Sequence, residues 1–424
     1  MECKVLKYWE HHEGNIKEQD WQFEETFYAS EFIKKKENGF CFSINKDNGW
    51  KLNTGYYVGL TWLDQGKHAL LINPKLNDKN PLEPDNIQID YYKMLFSCLQ
   101  HTEVANEIED LFEIKWEEPT ISIENKEDVL TPFLIVQFLA LVKSIVRKGL
   151  KKSYYKVEKN LNSKVKGKVH ISKTIKHNLL KNKALLTYCE YEEFGINGSE
   201  NRLLKKTLIF IQKYLPNRLI NNQFHSFQES FNYIFPAFDL VDDKIEVREI
   251  NLTKNNVFYK EYEEAIRLAK IILKRFSYNI SNTTNQKIET HPFWIDMSKL
   301  FELYTLGLLK DRFRNEVKYH FTHYGNELDY ILKSGDLKMV IDAKYKQYQK
   351  YKIANEDVRQ VSGYARLEKV YKYLEKTYPE SIDCLIIHPD SNNGMEDLTT
   401  VDFKLHKVKD YNGVFKIGIK LPLV

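Results

Sequence analysis

The chain has 424 residues, 42% hydrophobic and 29% charged, so it carries enough apolar material for a buried core and too much for a disordered chain. Its formal net charge is only +4, so any nucleic-acid surface must be a local patch. Five scattered cysteines, odd in number and without CxxC spacing, argue against a zinc site or a disulfide framework and suit a reducing cytoplasm.

The chain opens MECKVLKYWEHHEGN, which has no apolar signal core. Over the first hundred residues, GYYVGLTW and HALLINPKL read as strands separated by the turn formers Asp64-Gln65-Gly66. An acidic stretch follows at about 103–128, then an apolar helix near 130–148. Its run VLTPFLIVQFLALV is too short to cross a membrane. A basic segment at 147–183 holds thirteen Lys or Arg against one acid, Glu158. Residues 199–215 and 258–276 have helical periodicity, and the polar stretch 277–290 reads as a linker. These cues predict three parts. Residues 1–105 form a β-rich N-terminal domain, 106–285 a mainly helical middle region with the basic segment, and 286–424 a last domain. No GxxxxGK[ST] loop occurs, so no nucleotide is expected on this chain.

In the last domain a helix is expected from Asp296, whose carboxylate can cap the first turn. Met297, Leu300, Phe301, Tyr304 and Leu308 recur at helical spacing as a core face, with Glu302 beside it. VKYHFTH (317–323) is a strand, turned by Tyr324-Gly325-Asn326. Then comes LDYILKSGDLKMVIDAKYK. A two-residue hairpin loop at Gly335-Asp336 sets Ser334 opposite Leu337. The same register puts Asp329 opposite Asp342 and Glu327 opposite Lys344, all on one side of the sheet. Two facing carboxylates repel, and a divalent cation relieves that. A cation held there can bind a phosphate oxygen and activate a water, while Lys344 meets negative charge in the transition state. The competing reading is a plain Glu327–Lys344 ion pair beside a solvated Asp329. Downstream, 355–376 reads as one helix capped by Asn355, with Gln360 and Tyr364 one turn apart on one face. DCLIIHP (383–389) is a short apolar strand, parallel to the earlier one by the crossover rule. The predicted class is mixed α/β, with the last domain ordered α-β-β-β-α-β.

That order and those acids resemble the PD-(D/E)xK nuclease core. VIDAKYK, with LDYIL before it and RQVSGYA and IIHP after it, is similar to the nuclease domain of the McrC family. McrC is the cleavage subunit of McrBC-type modification-dependent (5-methylcytosine) restriction systems. VKGKVHISKTIKHNLL, CEYEEF, ENRLLKKTL, TGYYVGL and LLINPKL extend the likeness upstream. The resemblance implies that Asp329, Asp342 and Lys344 are the catalytic trio and that Gln360 lies near them. Tyr364 then packs nearby, and Glu302 joins Asp329 and Asp342 in holding metal. Leu328 stands where the motif has proline, a departure that touches only the strand start. The resemblance further implies Mg²⁺, with Mn²⁺ able to substitute, and a separate McrB-like AAA+ GTPase ring. That partner would carry the modification reader, dock on residues 1 to about 180 of this chain and have its GTP hydrolysis stimulated by it. The substrate would be double-stranded, modified DNA, cut in the cytoplasm without a membrane.

Two alternatives stay open: a non-catalytic adaptor that stimulates the motor, and a stand-alone PD-(D/E)xK nuclease of another defence or repair system. In the basic segment, Lys151, Lys152, Lys164, Lys166 and Lys168 with Tyr154 and Tyr155 could contact phosphates. They could equally be a solvated face balancing the acids at 103–128 and 190–193. Asn201 and Arg202 read as structural, and His11, His12 and His388 have no ligand spacing.

Overall fold

A computed structural model describes residues 3–16, 27–33, 38–46, 49–64, 66–74, 93–95, 98, 104, 111–124, 130–214, 228, 230–246, 260–280, 287–323, 326–346, 354–390 and 393–422. Contacts group residues 1–133 with 284–424 in one compact unit, and 134–283 in a second. The mixed α/β class expected from the sequence holds, with several separate sheets. No helix among the described residues is long and apolar enough to cross a membrane.

The N-terminal part contains β1 (Lys4–Trp9), β2 (Tyr57–Asp64), β3 (His68–Asn73) and β4 (Phe112–Ile114). The strands β2 and β3 fall where alternation and the turn at Gly66 (φ 80°) place them. They form a five-stranded sheet in which β1 pairs with β3, β3 with β2, and residues 293–296 lie between β2 and β4. A four-stranded sheet is built from Glu13–Asn15, Phe27–Ile33, Asn38–Lys46 and Trp50–Thr54. Leu6, Leu70, Ile72 and Trp294 pack with Phe42, Ile44 and Leu52 in a single core between the two. Gly59 is required where β2 meets residue 293: an added Cβ would stand 2.0 Å from the Phe293 carbonyl oxygen.

In the second unit, α1 (Leu130–Lys148) enters with Pro132 in its first turn, where the missing N–H is harmless. The basic segment folds as β5 (Ser153–Asn162), β6 (Lys168–Val169) and α2 (Ile171–His177), with β7 (Leu186–Gly195) antiparallel to both strands. Next come α3 (Ser199–Tyr214) and α4 (Lys260–Ile280). Asn201 is structural as expected. Its amide donates to the carbonyls of Lys151 and Ile196, and its oxygen accepts from the Tyr262 hydroxyl. Arg202 donates to the Asn197 carbonyl.

The expected linker at 277–290 is corrected at both ends. Helix α4 runs on to Ile280, and Lys287–Thr290 pairs with Ile121–Glu124. The chain then enters β8 (Phe293–Asp296), every residue of which is buried. This strand belongs to the N-terminal sheet, and α5 (Met297–Phe313) starts directly from its end. Asp296 caps α5 as expected, accepting from the Lys299 amide at 3.0 Å. The predicted apolar face is buried, and so are Leu303, Leu306 and Leu309, because α5 is enclosed nearly all round.

The remaining elements are β9 (Val317–His323), β10 (Asn326–Ser334), β11 (Leu337–Ala343), α6 (Asn355–Tyr364), α7 (Glu368–Leu374), β12 (Asp383–Pro389) and β13 (Val414–Ile419). They make one sheet in that strand order, antiparallel from β9 to β11 and parallel from β11 to β13. Of the expected turn at 324–326, residues 324 and 325 lie outside the described residues. The single helix expected at 355–376 is two, broken at Ala365–Leu367. Asn355 is not its cap: Ala354 holds that position, and the Asn355 side chain accepts from the Tyr411 hydroxyl. Val358, Val361, Val370 and Leu374 of α6 and α7 close over Ile331, Val340, Cys384 and Ile386 of the sheet.

A candidate active site at the end of a hairpin

The hairpin β10–β11 turns at Gly335-Asp336, with Gly335 at φ 53°, a conformation L side chains rarely adopt. Its ladder runs from Ser334↔Leu337 to Tyr330↔Ile341 in the expected register. Beyond that the strands part. Asp329 does not sit as a ladder partner of Asp342. Its Oδ2 instead accepts the Ala343 N–H at 2.7 Å. On the other side the β9–β10 ladder also skips this level, passing from Tyr319↔Tyr330 to Phe321↔Leu328. The residue left level with Asp329 is His320, at φ 49°. A non-glycine residue at positive φ inside a strand is strained, and such strain gathers at functional sites. The irregularity lets Asp329 leave the pleat and turn towards β11.

Asp342 is 1% exposed, near the end of a strand whose last residues are buried. The Lys344 ammonium lies 2.9 Å from its Oδ2 and donates to its Oδ1 at 3.2 Å. Oδ2 is buried and accepts no hydrogen bond, so the ammonium's hold on it is Coulombic. The expected pairing of Glu327 with Lys344 is overturned. Glu327 sits opposite Thr322 and pairs with His320 at 3.0 Å, because Lys344 has left the strand and swung to Asp342.

The electrostatics explain why these groups need a counter-charge. Burial pushes the Asp329 carboxyl well above the usual range, and the charges of Glu302 and Asp342 push it further. The Ala343 amide and Lys344 only partly offset this. Asp342 is raised too, first by burial and also by Asp357, against the pull of Lys344. Burial would lower Lys344, but Asp342, Asp329 and Asp357 together hold it raised, and so charged.

Glu302 on α5 stands at the rim of this cluster. Its Oε2 accepts from the Tyr319 hydroxyl at 3.2 Å and lies 3.9 Å from the Lys299 ammonium. Its own carbonyl accepts from the Tyr330 hydroxyl, fixing α5 to β10. Gln360 is not brought in by its contacts. It is exposed and donates to the Tyr364 hydroxyl at 2.9 Å, one turn along α6. In its place α6 presents Asp357, 4% exposed, which takes the Lys346 ammonium at 2.7 Å. Sequence reasoning missed this pair. An acid three residues before Gln360 and a lysine two after Lys344 were the available signals, but both read as ordinary surface charges.

Asp329 and Asp342 are hard oxygen donors, and their mutual repulsion, with the buried Oδ2 of Asp342 accepting no hydrogen bond, suits a hard divalent cation. Glu302 is the third carboxylate within electrostatic reach. Among the described residues no three His, Cys, Asp or Glu side chains are grouped so as to hold a metal ion. Such a cluster can polarise a phosphodiester and stabilise the charge that develops as a water attacks it.

The basic segment divides. Lys151 pairs with Glu200 at 2.9 Å, and Lys166 with Glu193 at 3.5 Å while lying over the Tyr191 ring. Tyr155 donates to Glu193. Lys152, Lys164 and Lys168 are exposed, as is Tyr154. The acids at 190–193 thus do balance part of the segment. His388 is buried, its ring bonded to the Pro389 carbonyl, and burial lowers it to about 4, so it is neutral.

A sequence profile described as McrBC 5-methylcytosine restriction system component matches residues 52–374. No curated protein matches the chain. Among solved structures, a half-complex from the tetradecameric assembly of Thermococcus gammatolerans McrB AAA+ hexamers with bound McrC contains a chain 16% identical. That match covers 98% of this chain and 94% of that one, at a TM-score of 0.39. A cryo-EM structure of the Thermococcus gammatolerans McrBC complex contains another, 15% identical over 74% of this chain and 89% of that one, at 0.28.

Proposed function

Because the chain belongs to the McrBC 5-methylcytosine restriction system component family, we propose that it is the DNA-cleaving subunit of such a system, a Mg²⁺-dependent endodeoxyribonuclease governed by an AAA+ GTPase partner. The observation that carries this reading is the mutually repelling pair of half-buried Asp329 and buried Asp342, with Lys344 drawn onto Asp342 at a frayed strand end. The order α5-β9-β10-β11-α6-α7-β12 supports assignment to the PD-(D/E)xK superfamily.

In this reading Asp329 and Asp342 hold the metal, with Glu302 contributing from α5. When bound, the cation supplies a Lewis acid and lowers the pKa of a coordinated water; Mn²⁺ has the oxygen preference to replace it. Lys344 is held charged by its acid neighbours and meets the negative charge on the phosphoryl oxygens. Asp357 and Lys346 brace the first turn of α6 against the exit of β11. Gln360 bonds to Tyr364 and to none of this set. Of the five candidate lysines of the basic segment, Lys152, Lys164 and Lys168 are the ones that contact double-stranded DNA in this reading.

The partner carries the modification reader and docks on residues 1 to about 180. The test is a cleavage assay on methylated and unmethylated duplex DNA, with and without the GTPase ring, in Mg²⁺ and in EDTA. Cleavage of methylated DNA that needs both Mg²⁺ and the ring supports the proposal. Cleavage undiminished in EDTA overturns the metal site, and GTPase stimulation without any cleavage favours the adaptor.

A further inference from the structure

The exit of β11 is gripped from a part of the chain far away in sequence. Lys344 and Tyr345 are neighbours that point their side chains to different places. Lys344 goes to Asp342, while the Tyr345 ring lies 5.8 Å from that of Phe301, the residue before Glu302. The Tyr345 hydroxyl donates to Glu10 Oε1 at 2.9 Å. Glu10 follows β1, and its carboxylate is fully buried (0% exposed).

The turn that presents Glu10 is itself fixed. The Thr54 hydroxyl donates to the Trp9 carbonyl and accepts the His12 N–H at 2.7 Å, bracketing Glu10 from both sides. The Glu10 N–H donates to the Asn73 carbonyl at the end of β3, and the His11 N–H to the Gly55 carbonyl. A buried carboxylate is costly, and here it is held on a rigid turn and aimed at the residue after Lys344. Among the described residues the Lys344 backbone makes two hydrogen bonds, from its N–H to the Ile387 carbonyl and from the Lys346 N–H to the Lys344 carbonyl.

We propose that Glu10, acting through the Tyr345 hydroxyl, is a positioning residue that sets Lys344 against Asp342, so that the N-terminal sheet completes the active site. The inference rests on the nuclease reading above. It adds a role for a residue more than three hundred positions from the hairpin, in a part of the chain otherwise assigned to docking. The N-terminal sheet then reaches the site at two points, through β8 into Glu302's helix and through Glu10 onto Tyr345, the residue after Lys344.

The test uses the full chain with its GTPase partner and reads single-turnover cleavage, the KM for DNA and GTPase stimulation together. Tyr345→Phe removes one oxygen and keeps the ring on Phe301. It should slow cleavage about ten- to hundredfold, the scale of a misplaced catalytic group, with KM and GTPase stimulation unchanged. Glu10→Gln keeps an acceptor oxygen and should cleave near the wild-type rate. Glu10→Leu should match Tyr345→Phe, and the double variant should be no slower than either single one. Wild-type cleavage by Tyr345→Phe overturns the proposal even if Glu10→Leu fails to fold, and so do independent, additive losses. Asp342→Ala in the same series separates the premises. If it too cuts at the wild-type rate, the nuclease reading falls with the inference; if only Tyr345→Phe does, the inference falls alone.

Discussion

Asp329→Asn should make the metal-free protein more stable at neutral pH while destroying its response to Mg²⁺. The carboxyl is raised by burial, then by Glu302 and Asp342, so the fold binds its proton more tightly than the unfolded chain does. A group of this kind contributes full stability below the ordinary carboxylate range and loses it as pH rises through the raised folded value. At pH 7 Asp329 therefore costs stability, and a neutral amide of the same shape removes that cost. The amide oxygen can still accept the Ala343 N–H. The advantage should vanish below about pH 4, where aspartate is protonated in both states. Mg²⁺ at about a hundred times its dissociation constant stabilises a one-site protein by about 2.7 kcal/mol. For a unit of this size, at about 2 °C per kcal/mol, the wild type should gain about 5 °C. The variant, lacking one of the two carboxylates, should gain little. Differential scanning calorimetry from pH 4 to 8, with EDTA and with Mg²⁺, reads all of this. A variant that melts below the wild type in EDTA at pH 7, or that gains as much from Mg²⁺, refutes the reasoning.

Cleavage at limiting Mg²⁺ should rise with pH along a limb displaced above the ordinary aspartate range, since Asp329 and Asp342 are both raised, and saturating Mg²⁺ should move that limb to lower pH by displacing the proton. A pH–rate profile at two metal concentrations checks the direction. Lys344→Met should reduce cleavage about 10²–10³-fold, the usual loss on removing one group that stabilises transition-state charge, with DNA affinity measured by anisotropy nearly intact. Asp296→Ala removes the α5 cap and should cost about 1 kcal/mol in chemical denaturation, without altering metal affinity.

The hairpin was legible because a glycine with a mandatory positive φ fixes its loop, and the loop fixes every pair after it. The register departs from the expected one past Tyr330↔Ile341, first at Asp329 and Asp342, still inside β10 and β11, and then at Glu327. Glu327 was assigned to Lys344 by extending the ladder past Ala343, and the chain leaves β11 there. Helix α5 was legible from its cap and apolar face. The break between α6 and α7 was not, since Ala365-Arg366-Leu367 contains no helix breaker, and Leu367 is drawn down among the apolar residues over the sheet. Strand β8 was hidden for a different reason. Four buried residues between two neighbouring strands show no alternation, so Phe293–Asp296 carries no period-two signal. The grip of Glu10 on Tyr345 lies beyond any local pattern, because no periodicity connects residues so far apart.

The most direct measurement is cleavage and GTPase stimulation by Asp342→Ala, assayed on the same sample with methylated duplex DNA, the partner ring and Mg²⁺. Loss of cleavage with stimulation intact is the predicted result, since Asp342 lies in the hairpin cluster and not on the N-terminal region assigned to docking. Cleavage at the wild-type rate would mean that the paired aspartates hold no working metal, and the site would have to be sought elsewhere in the chain.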